Sequence, residues 1–367
     1  MGVNAHTAAS PGVIDQLRSA GFSWIRNDVA WESMEKKVGV YDLTSWDYTM
    51  DRIRANKMGI IAIASGRNSL YQSDGTNVHT AQGLAAMAKW VSALACRYSN
   101  DTRVWWEMTN EPNSDSWYRN ATLYAELVAT IAQAVHAAAP NATVVGPASA
   151  NIGLDTGWLL EVFEAGALHH LDVVTVHPYR SDGPEPAAAD LSLVMDRVAE
   201  YAPPHKTPMP LANGEWGYGA AVVGGQAEQA RLFVRQQLIT SSMTGQPSIW
   251  YEACGPDAGE GHMGIMNCTA GGAPFRSFPA FEAARVLHEV LRNDGKAVSL
   301  PVDEMKGFRF VRRLPIFQSS NLDTSDDWVL IYRSDEGDIL LVAWTSTEFE
   351  HIVRIPGMWK NDLFRHF

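Results

Sequence analysis

Cysteine is scarce in this sequence, which has three among 367 residues. So few thiols cannot form the dense disulfide framework that holds small secreted scaffolds together. Cys254 and Cys268 flank one glycine-rich segment, and we expect them to pair. Cys96 lies in a helical stretch and is expected to be a buried thiol.

Positive charge and long apolar runs are also lacking. Lysine and arginine number 29 against 41 aspartates and glutamates, which gives a net charge of −12. Because phosphate binding needs a basic face, this balance argues against a nucleic-acid partner. No run of about 18 apolar residues occurs, so no segment is predicted to span a membrane.

A signal-peptide pattern is absent as well, since the first residues lead almost directly into a strand. Asn-x-Ser/Thr sequons nevertheless occur slightly more often than chance, at Asn100, Asn120, Asn141 and Asn267. We therefore expect a secreted or extracellular glycoprotein, of which this chain is a mature or trimmed form.

Tryptophan, in contrast, is abundant. The sequence has 13 tryptophans, with 46% apolar and 19% charged residues, which is typical of a globular protein. An indole offers a flat apolar face and one hydrogen-bond donor. Tryptophans therefore serve either core packing or contact with the flat C–H faces of sugars.

Strand-like and helical segments alternate along most of the chain. Eight strands start near residues 2, 22, 60, 104, 143, 172, 209 and 248, each followed by a helix. Strict alternation is typical of parallel strands joined by helices, and eight repeats predict an α/β fold, a (β/α)8 or TIM barrel. A doubly wound sheet is disfavoured because no glycine-rich fingerprint follows the first strand.

The pattern changes at about residue 296. Short strands between turns rich in Asp, Ser and Gly are predicted at Phe308–Val311, Trp328–Tyr332, Ile339–Trp344 and His351–Ile355. We therefore predict a catalytic barrel at 1–295 and a small C-terminal antiparallel β domain at 296–367. A segment of this size is small for an independent core, so we expect it to pack on the barrel.

One stretch, 104–113, organises the sequence. It reads Val-Trp-Trp-Glu-Met-Thr-Asn-Glu-Pro-Asn, an aromatic strand that stops at Pro112. The residue before a proline is pushed into an extended conformation. Glu111 is therefore predicted at or just past a strand end, where its carboxylate can face a cleft.

Polar and aromatic side chains are predicted at the C-terminal strand ends, where barrels carry their active sites. They are His6, Arg26, Asp28, Asn110, Glu111, His177, Tyr179, Glu215, Trp216, Trp250 and Glu252. Two carboxylates, Glu111 and Glu215, follow the fourth and seventh strands on one barrel face. Glycoside hydrolysis needs such a pair, one to protonate the leaving oxygen and one to attack or to activate water.

These motifs resemble a known group of enzymes. Asn110-Glu111-Pro112 after the fourth strand and Asn213-Gly214-Glu215-Trp216-Gly217 after the seventh are similar to the 4/7 superfamily of retaining glycoside hydrolases, clan A. Within the clan, the chain resembles families 5 and 39. Arg26, His177-x-Tyr179 and Trp250 support the resemblance, and the β-rich tail favours family 39.

The resemblance implies roles for the two glutamates. Glu111 is expected to be the acid/base, which requires a pKa raised by desolvation or by a nearby negative charge. Glu215 is expected to be the nucleophile, kept ionised by Arg26 and by a hydrogen bond from Tyr179.

The remaining predicted site residues bind substrate. Asn110 is expected to bond the sugar 2-hydroxyl, and Trp250 to form a floor under the sugar being cleaved. His6, His177 and Trp216 are also assigned to substrate binding. Structural roles are the alternatives: an Arg26–Asp28 ion pair, His177 as a core histidine, His6 as a strand end, and Glu252 in the adjoining loop or an outer subsite.

The sequence thus predicts a retaining β-glycoside hydrolase without a cofactor, with a carbohydrate as its partner. A catalytically silent carbohydrate-binding barrel is the alternative. A metal site of His6, His177 and Glu215 is disfavoured because no His-x-x-x-His spacing occurs. Specificity is expected in the loops at Arg67–Thr80, Asp115–Arg119, Ser181–Ala189 and Cys254–Pro274.

Overall fold

In the computed structural model, eight parallel strands close into a barrel. The structure describes residues 1–6, 10, 12–152, 156–255, 262–268, 275–292, 309–313, 327–333 and 339–345. The chain divides into two compact units, the first of which includes Met1–Val290.

The barrel strands are β1 (Gly2–Asn4), β2 (Trp24–Val29), β3 (Gly59–Ala64), β4 (Val104–Met108), β5 (Thr143–Ala150), β6 (Val173–His177), β7 (Leu211–Trp216) and β8 (Ser248–Trp250). The helices that follow them are α1 (Val13–Ser19), α2 (Thr44–Ala55), α3 (Ala81–Arg97), α4 (Ala121–Ala138), α5 (Thr156–Glu164), α6 (Ala187–Tyr201), α7 (Gln226–Thr244) and α8 (Pro279–Arg292). Each strand pairs with its sequence neighbours, and Gly2 of β1 pairs with both Trp24 and Ile249 to close the ring. The predicted fold class is confirmed.

The pleat of the strands separates two apolar layers. Side chains inside the barrel form one cluster, with Ile61, Trp105, Val145, Val173, Ala212 and Ile249. The alternate side chains pack outward against the helices in a larger cluster. Since successive side chains of a strand point to opposite faces, each barrel strand has one row of side chains facing the barrel axis and one facing the helices.

The segment around Trp31, between β2 and α2, has secondary structure of its own. It contains a short helix, Trp31–Met34, and a hairpin of Glu35–Lys37 with Val40–Tyr41. The buried Glu35 carboxylate accepts hydrogen bonds from Trp31 Nε1 at 2.5 Å and from Tyr71 Oη at 2.6 Å. A buried carboxylate needs such donors, and here they hold the segment together.

The second unit contains three antiparallel strands, β9 (Arg309–Arg313), β10 (Asp327–Arg333) and β11 (Ile339–Thr345). Trp328 and Trp344 stack across β10 and β11 with ring centroids 5.4 Å apart. The predicted strand His351–Ile355 and the boundary at 295/296 lie outside the described residues. Packing of this unit on the barrel stays a prediction.

The cysteine predictions have different outcomes. Cys254 and Cys268 form the expected disulfide, with Cα atoms 5.3 Å apart. The prediction of a buried Cys96 is wrong, because Cys96 is exposed. It shares the outward face of α3 with Ala85 and Lys89, at helical spacing.

Within the described part of the chain, no helix is long and apolar enough to cross a membrane.

Candidate active site

The C-terminal strand ends bring the predicted polar residues to one face of the barrel. Arg26 lies within β2, Asn110 and Glu111 follow β4, His177 ends β6, and Glu215 lies near the end of β7. Parallel strands in a closed barrel share one C-terminal edge, so residues far apart in sequence converge there.

Arg26 is the centre of the hydrogen-bond network and has no exposed surface. Its Nε donates to Glu107 Oε1 at 2.9 Å, and Nη1 donates to Glu215 Oε2 at 2.5 Å. Nη2 donates to Glu107 Oε1 at 2.5 Å and to Asn110 Oδ1 at 2.6 Å. The rigid guanidinium fork thus fixes groups from two strands and from the loop that carries Glu111.

Glu215 is 8% exposed and is held from three sides. Besides Arg26, Tyr179 Oη donates to Oε1 at 2.9 Å, and Asn4 Nδ2 donates to Oε2 at 3.3 Å. The contacts expected from Arg26 and Tyr179 are therefore present. Donors on both oxygens fix the orientation of this carboxylate.

Glu111 has a less enclosed environment and a strained backbone. It adopts a left-handed conformation, with φ 45° and ψ 57°, at the turn after β4, and not the extended conformation expected before Pro112. Burial raises the pKa of Glu111, the direction that an acid/base role requires.

His177 is the hydrogen-bond partner of Glu111, with 3.0 Å between Nδ1 and Oε1. Complete burial, with a contribution from the Arg26 charge, lowers the pKa of His177 to about 3. The imidazole is therefore neutral at ordinary pH, and its Nδ1 either donates to the Glu111 carboxylate or accepts from the protonated acid. A contact with Glu111 replaces the alternative of a core histidine held by a backbone bond.

The spacing of the two glutamates is short. A carboxylate oxygen of Glu111 lies within 4.8 Å of a carboxylate oxygen of Glu215. Carboxyl groups about 5–5.5 Å apart are typical of retaining glycosidases, whereas inverting enzymes need about 6.5–9.5 Å to admit a water. This close approach fits the shorter of the two ranges, that of retaining enzymes.

Trp250 and Trp216 do not face the cleft. Both rings have 0% exposure, so neither offers a face to a sugar. The Trp250 ring lies edge-on to Phe233 of α7 at 5.1 Å. Ile249 occupies the barrel interior, and the pleat therefore turns Trp250 outward to the helices. Trp250 therefore does not form the expected floor under the sugar, and Trp216 does not make the expected contact with substrate.

His6 lies at the edge of the site, next to Asn4. Its Nδ1 is 2.9 Å from Asp28 Oδ2, and this hydrogen bond raises the pKa of His6. Asp28 thus pairs with His6, while Arg26 pairs with Glu107 instead of the alternative Asp28. The partly exposed Tyr251, next to Trp250 in sequence, has its ring 5.9 Å from that of His6.

Two residues that hold the site were missed from the sequence. Glu107 is a carboxylate in an otherwise apolar strand, two positions after the inward-facing Trp105, and this signal could have identified it. Asn4 lies in β1 without any local signal. Only barrel closure places it beside Glu215.

Glu111, His177 and Glu215 are also the one group of potential metal ligands found among the described residues. This set differs from the one considered from the sequence, which included His6. The Arg26 guanidinium already occupies Glu215 Oε2. A cation there would have to compete with that positive charge, so the arrangement favours an ion-paired carboxylate over a metal ligand.

Comparisons with known proteins agree with this geometry. The family model described as Cellulase (glycosyl hydrolase family 5) matches residues 2–241. A family 39 glycoside hydrolase from the gut symbiont Bacteroides cellulosilyticus WH2 is 21% identical, with a TM-score of 0.73 over 95% of this chain and 70% of its own. A monomeric beta-xylosidase from Caulobacter crescentus CB15 is 21% identical, with a TM-score of 0.60, over 79% of this chain and 67% of its own.

A third solved structure is the catalytic domain of GH30 xylanase C from Talaromyces cellulolyticus. It is 14% identical, with a TM-score of 0.62 over 93% of this chain and 82% of its own. These structures are similar to the chain in fold. A comparison with curated proteins gives no match.

A closed (β/α)8 barrel with glutamates after its fourth and seventh strands defines a glycoside hydrolase of clan A, whose members are retaining O-glycosyl hydrolases. The family match, over more than half of the chain, makes the assignment specific. The chain belongs to glycosyl hydrolase family 5, the cellulase family.

Proposed function

We propose that the protein cleaves β-glycosidic bonds of a polysaccharide, oligosaccharide or glycoconjugate with retention of anomeric configuration. Glu215 is the nucleophile and Glu111 is the acid/base. The proposal rests on the distance between their nearest carboxylate oxygens, which is at most 4.8 Å. Such spacing lets a carboxylate reach the anomeric carbon without an intervening water.

The reaction has two steps. Glu215 attacks the anomeric carbon while the glycosidic C–O bond breaks, and Glu111 gives its proton to the leaving oxygen. Glu111, now a carboxylate, then takes a proton from water as that water attacks the anomeric carbon and releases Glu215. Asn110, oriented by the Arg26 hydrogen bond on its Oδ1, donates to or accepts from the sugar 2-hydroxyl.

Proton NMR of the first-formed sugar tests the mechanism. An aryl β-glycoside should give the β-anomer first, followed by mutarotation, and Glu215→Ala should abolish turnover. Inversion, or wild-type activity in Glu215→Ala, would contradict the proposal. Xylo- and gluco-configured substrates are the first to screen, since similar folds occur in a beta-xylosidase, a xylanase and a glucosidase. A silent carbohydrate-binding barrel would bind these sugars and release no product.

We also propose that the protein is secreted and glycosylated. The disulfide supports an oxidising compartment, and sequon residues Asn100, Asn120 and Asn141 are exposed. The test is the mass of the secreted protein before and after enzymatic removal of N-glycans. An unchanged mass, or retention in the cell with reduced cysteines, would contradict this part.

A further inference from the structure

An aromatic pair of an exposed tryptophan and a half-buried histidine lies on the same barrel face as Glu111 and has no part in the network described above. Trp117 and His79 stack with ring centroids 3.7 Å apart and an interplanar angle of 16°. His79 lies in the loop after β3, and Trp117 lies in the loop after β4. Both are loops that follow a strand, which places them at the catalytic end of the barrel.

The pair is held firmly by hydrogen bonds between the two loops. Asp115 Oδ1 accepts from the Trp117 backbone N–H at 2.7 Å, and Asp115 Oδ2 accepts from Asn77 Nδ2 at 2.8 Å. His79 Nδ1 lies 3.1 Å from Asn77 O. Tyr118 Oη also donates to Val78 O. A surface ordered before the ligand arrives loses little conformational entropy on binding.

Trp117 is connected to the acid/base by a compact turn. Ser114 N donates to Glu111 O at 2.9 Å, and Asp115 N donates to Pro112 O at 3.0 Å. The side-chain partners of Glu215, in contrast, come from β1, β2 and the end of β6. Because the acid/base protonates the leaving oxygen, the loop that continues from Glu111 borders the leaving-group side of the cleft.

The chemistry of the pair fits a sugar ring. His79 covers one face of the Trp117 indole, so the 42% exposure of Trp117 comes from its other face and its edges. An isolated exposed tryptophan needs no explanation, but this one is backed by a stacked ring and anchored at its backbone. A pyranose presents flat C–H surfaces that pack on such a ring.

We infer that Trp117, backed by His79, is a platform for a sugar ring of the leaving group. The inference rests on the proposed function, because it assigns the substrate class of the same cleft: a glycoside whose leaving group is itself a sugar. Trp117 would be a specificity-determining residue and not a catalytic residue, since it contacts no reacting atom.

The experiment compares two kinds of leaving group. The probes are β-glycosyl fluorides of glucose, xylose, mannose, galactose and N-acetylglucosamine, and the β-linked di- and trisaccharides of the same sugars. Fluoride cannot occupy an aromatic platform, whereas a sugar can. Trp117→Ala should lower kcat/KM on the cleaved oligosaccharides about tenfold and leave the fluoride of the same sugar unchanged within about twofold.

Matched variants separate stacking from general damage. Trp117→Phe should restore most of the oligosaccharide activity, and His79→Ala should lose part of it. Tyr48→Ala removes another exposed aromatic, 46% exposed on α2, and should change neither substrate. Unchanged turnover of the fluoride also shows that each variant is folded.

The outcomes are distinct. Equal losses on fluoride and oligosaccharide, or no loss on either, overturn the platform. Cleavage of a fluoride by the wild type without cleavage of any oligosaccharide also overturns it, while leaving the proposed function intact. Failure of the wild type on every fluoride and oligosaccharide contradicts the proposed function itself.

Discussion

Arg26 and Glu215 are joined by a 2.5 Å hydrogen bond between Nη1 and Oε2, with side-chain exposures of 0% and 10%. Arg26 also bonds Glu107, so the guanidinium lies between two carboxylates inside the barrel. Removing one partner of a buried charge pair leaves the other uncompensated, which is costly. Glu215 and the barrel interior therefore depend on the same residue.

Arg26→Lys should reduce kcat/KM on an aryl β-glycoside at least about tenfold, the effect of losing one hydrogen bond to a charged group. Lysine keeps the charge but lacks the fork that reaches Glu107, Asn110 and Glu215 together. Steady-state kinetics and thermal denaturation measure the effect. Arg52→Lys, at an exposed pair with Asp15, is the matched control. Wild-type kinetics in Arg26→Lys would refute the positioning role.

Glu111→Ala should retain the first step for activated aryl leaving groups, which need no proton, and should be slow in the second. Added azide should restore turnover, because azide attacks the glycosyl-enzyme without help from a base. The product should be a β-glycosyl azide, identified by proton NMR. Glu215→Ala is the control that azide should not rescue with retention. An α-glycosyl azide from Glu111→Ala would reverse the two assignments.

The pH dependence of kcat/KM should follow the two roles. Glu111 acts as an acid only when protonated, so activity should fall as pH rises through its pKa, which burial raises above the ordinary glutamate value. Glu111→Gln should remove this alkaline limb on activated aryl substrates and keep the acid limb. Glu252, whose pKa is also raised by burial, supplies the control. If Glu252→Gln removes the alkaline limb instead, Glu252 is the acid.

A histidine cluster away from the cleft should make stability depend on pH. His136 Nε2 lies 3.1 Å from Asp172 Oδ2, and this hydrogen bond raises the pKa of His136. Because the pKa of His136 is higher in the folded than in the unfolded protein, its charged form stabilises the fold. This stabilisation is complete below the unfolded pKa of about 6.5 and is lost as pH rises through the folded pKa. His136→Asn should therefore lower Tm by about 2 °C at pH 5.5 and by less at pH 8.5.

The stability contributed by Asp172, the acidic partner of His136, depends on pH in the opposite direction. The pKa of Asp172 is lowered by hydrogen bonds from His136 and the Val144 backbone, against the effect of burial. Its contribution is present above the ordinary aspartate pKa and is lost as pH falls through the lowered value. His169→Asn, which replaces an exposed histidine, is the control at both pH values. An equal Tm loss at pH 5.5 and 8.5 would contradict the linkage.

The disulfide should leave one free thiol in the oxidised, denatured protein, that of Cys96. Cys254 and Cys268 are 14 positions apart, and closing a loop of this length stabilises by about 3 kcal/mol in the chain-entropy model. Cys254→Ser with Cys268→Ser should lower the free energy of unfolding accordingly, measured in urea. Cys96→Ser is the control. A count of three free thiols in the denatured protein without reductant would contradict the disulfide.

The local patterns of the sequence determined the barrel and the two glutamates. Apolar runs such as Ile60–Ala64 specify strands through burial on both faces, and strict alternation with helices leaves little choice of topology. The positions of the strand ends placed Glu111 and Glu215 on one edge. These signals act within a few residues, so they can be identified without a structure.

Only the tertiary structure decided which groups touch. Arg26 is 81 positions from Glu107 and 189 from Glu215, and its choice of Glu107 over the nearby Asp28 follows from barrel closure and register. Because Ile249 faces the barrel interior, the pleat of β8 directs the next residue, Trp250, away from the cleft. The stack of Trp117 on His79 arises because two loops meet above adjacent strands. Contacts of this kind depend on three-dimensional packing, which no sequence period encodes.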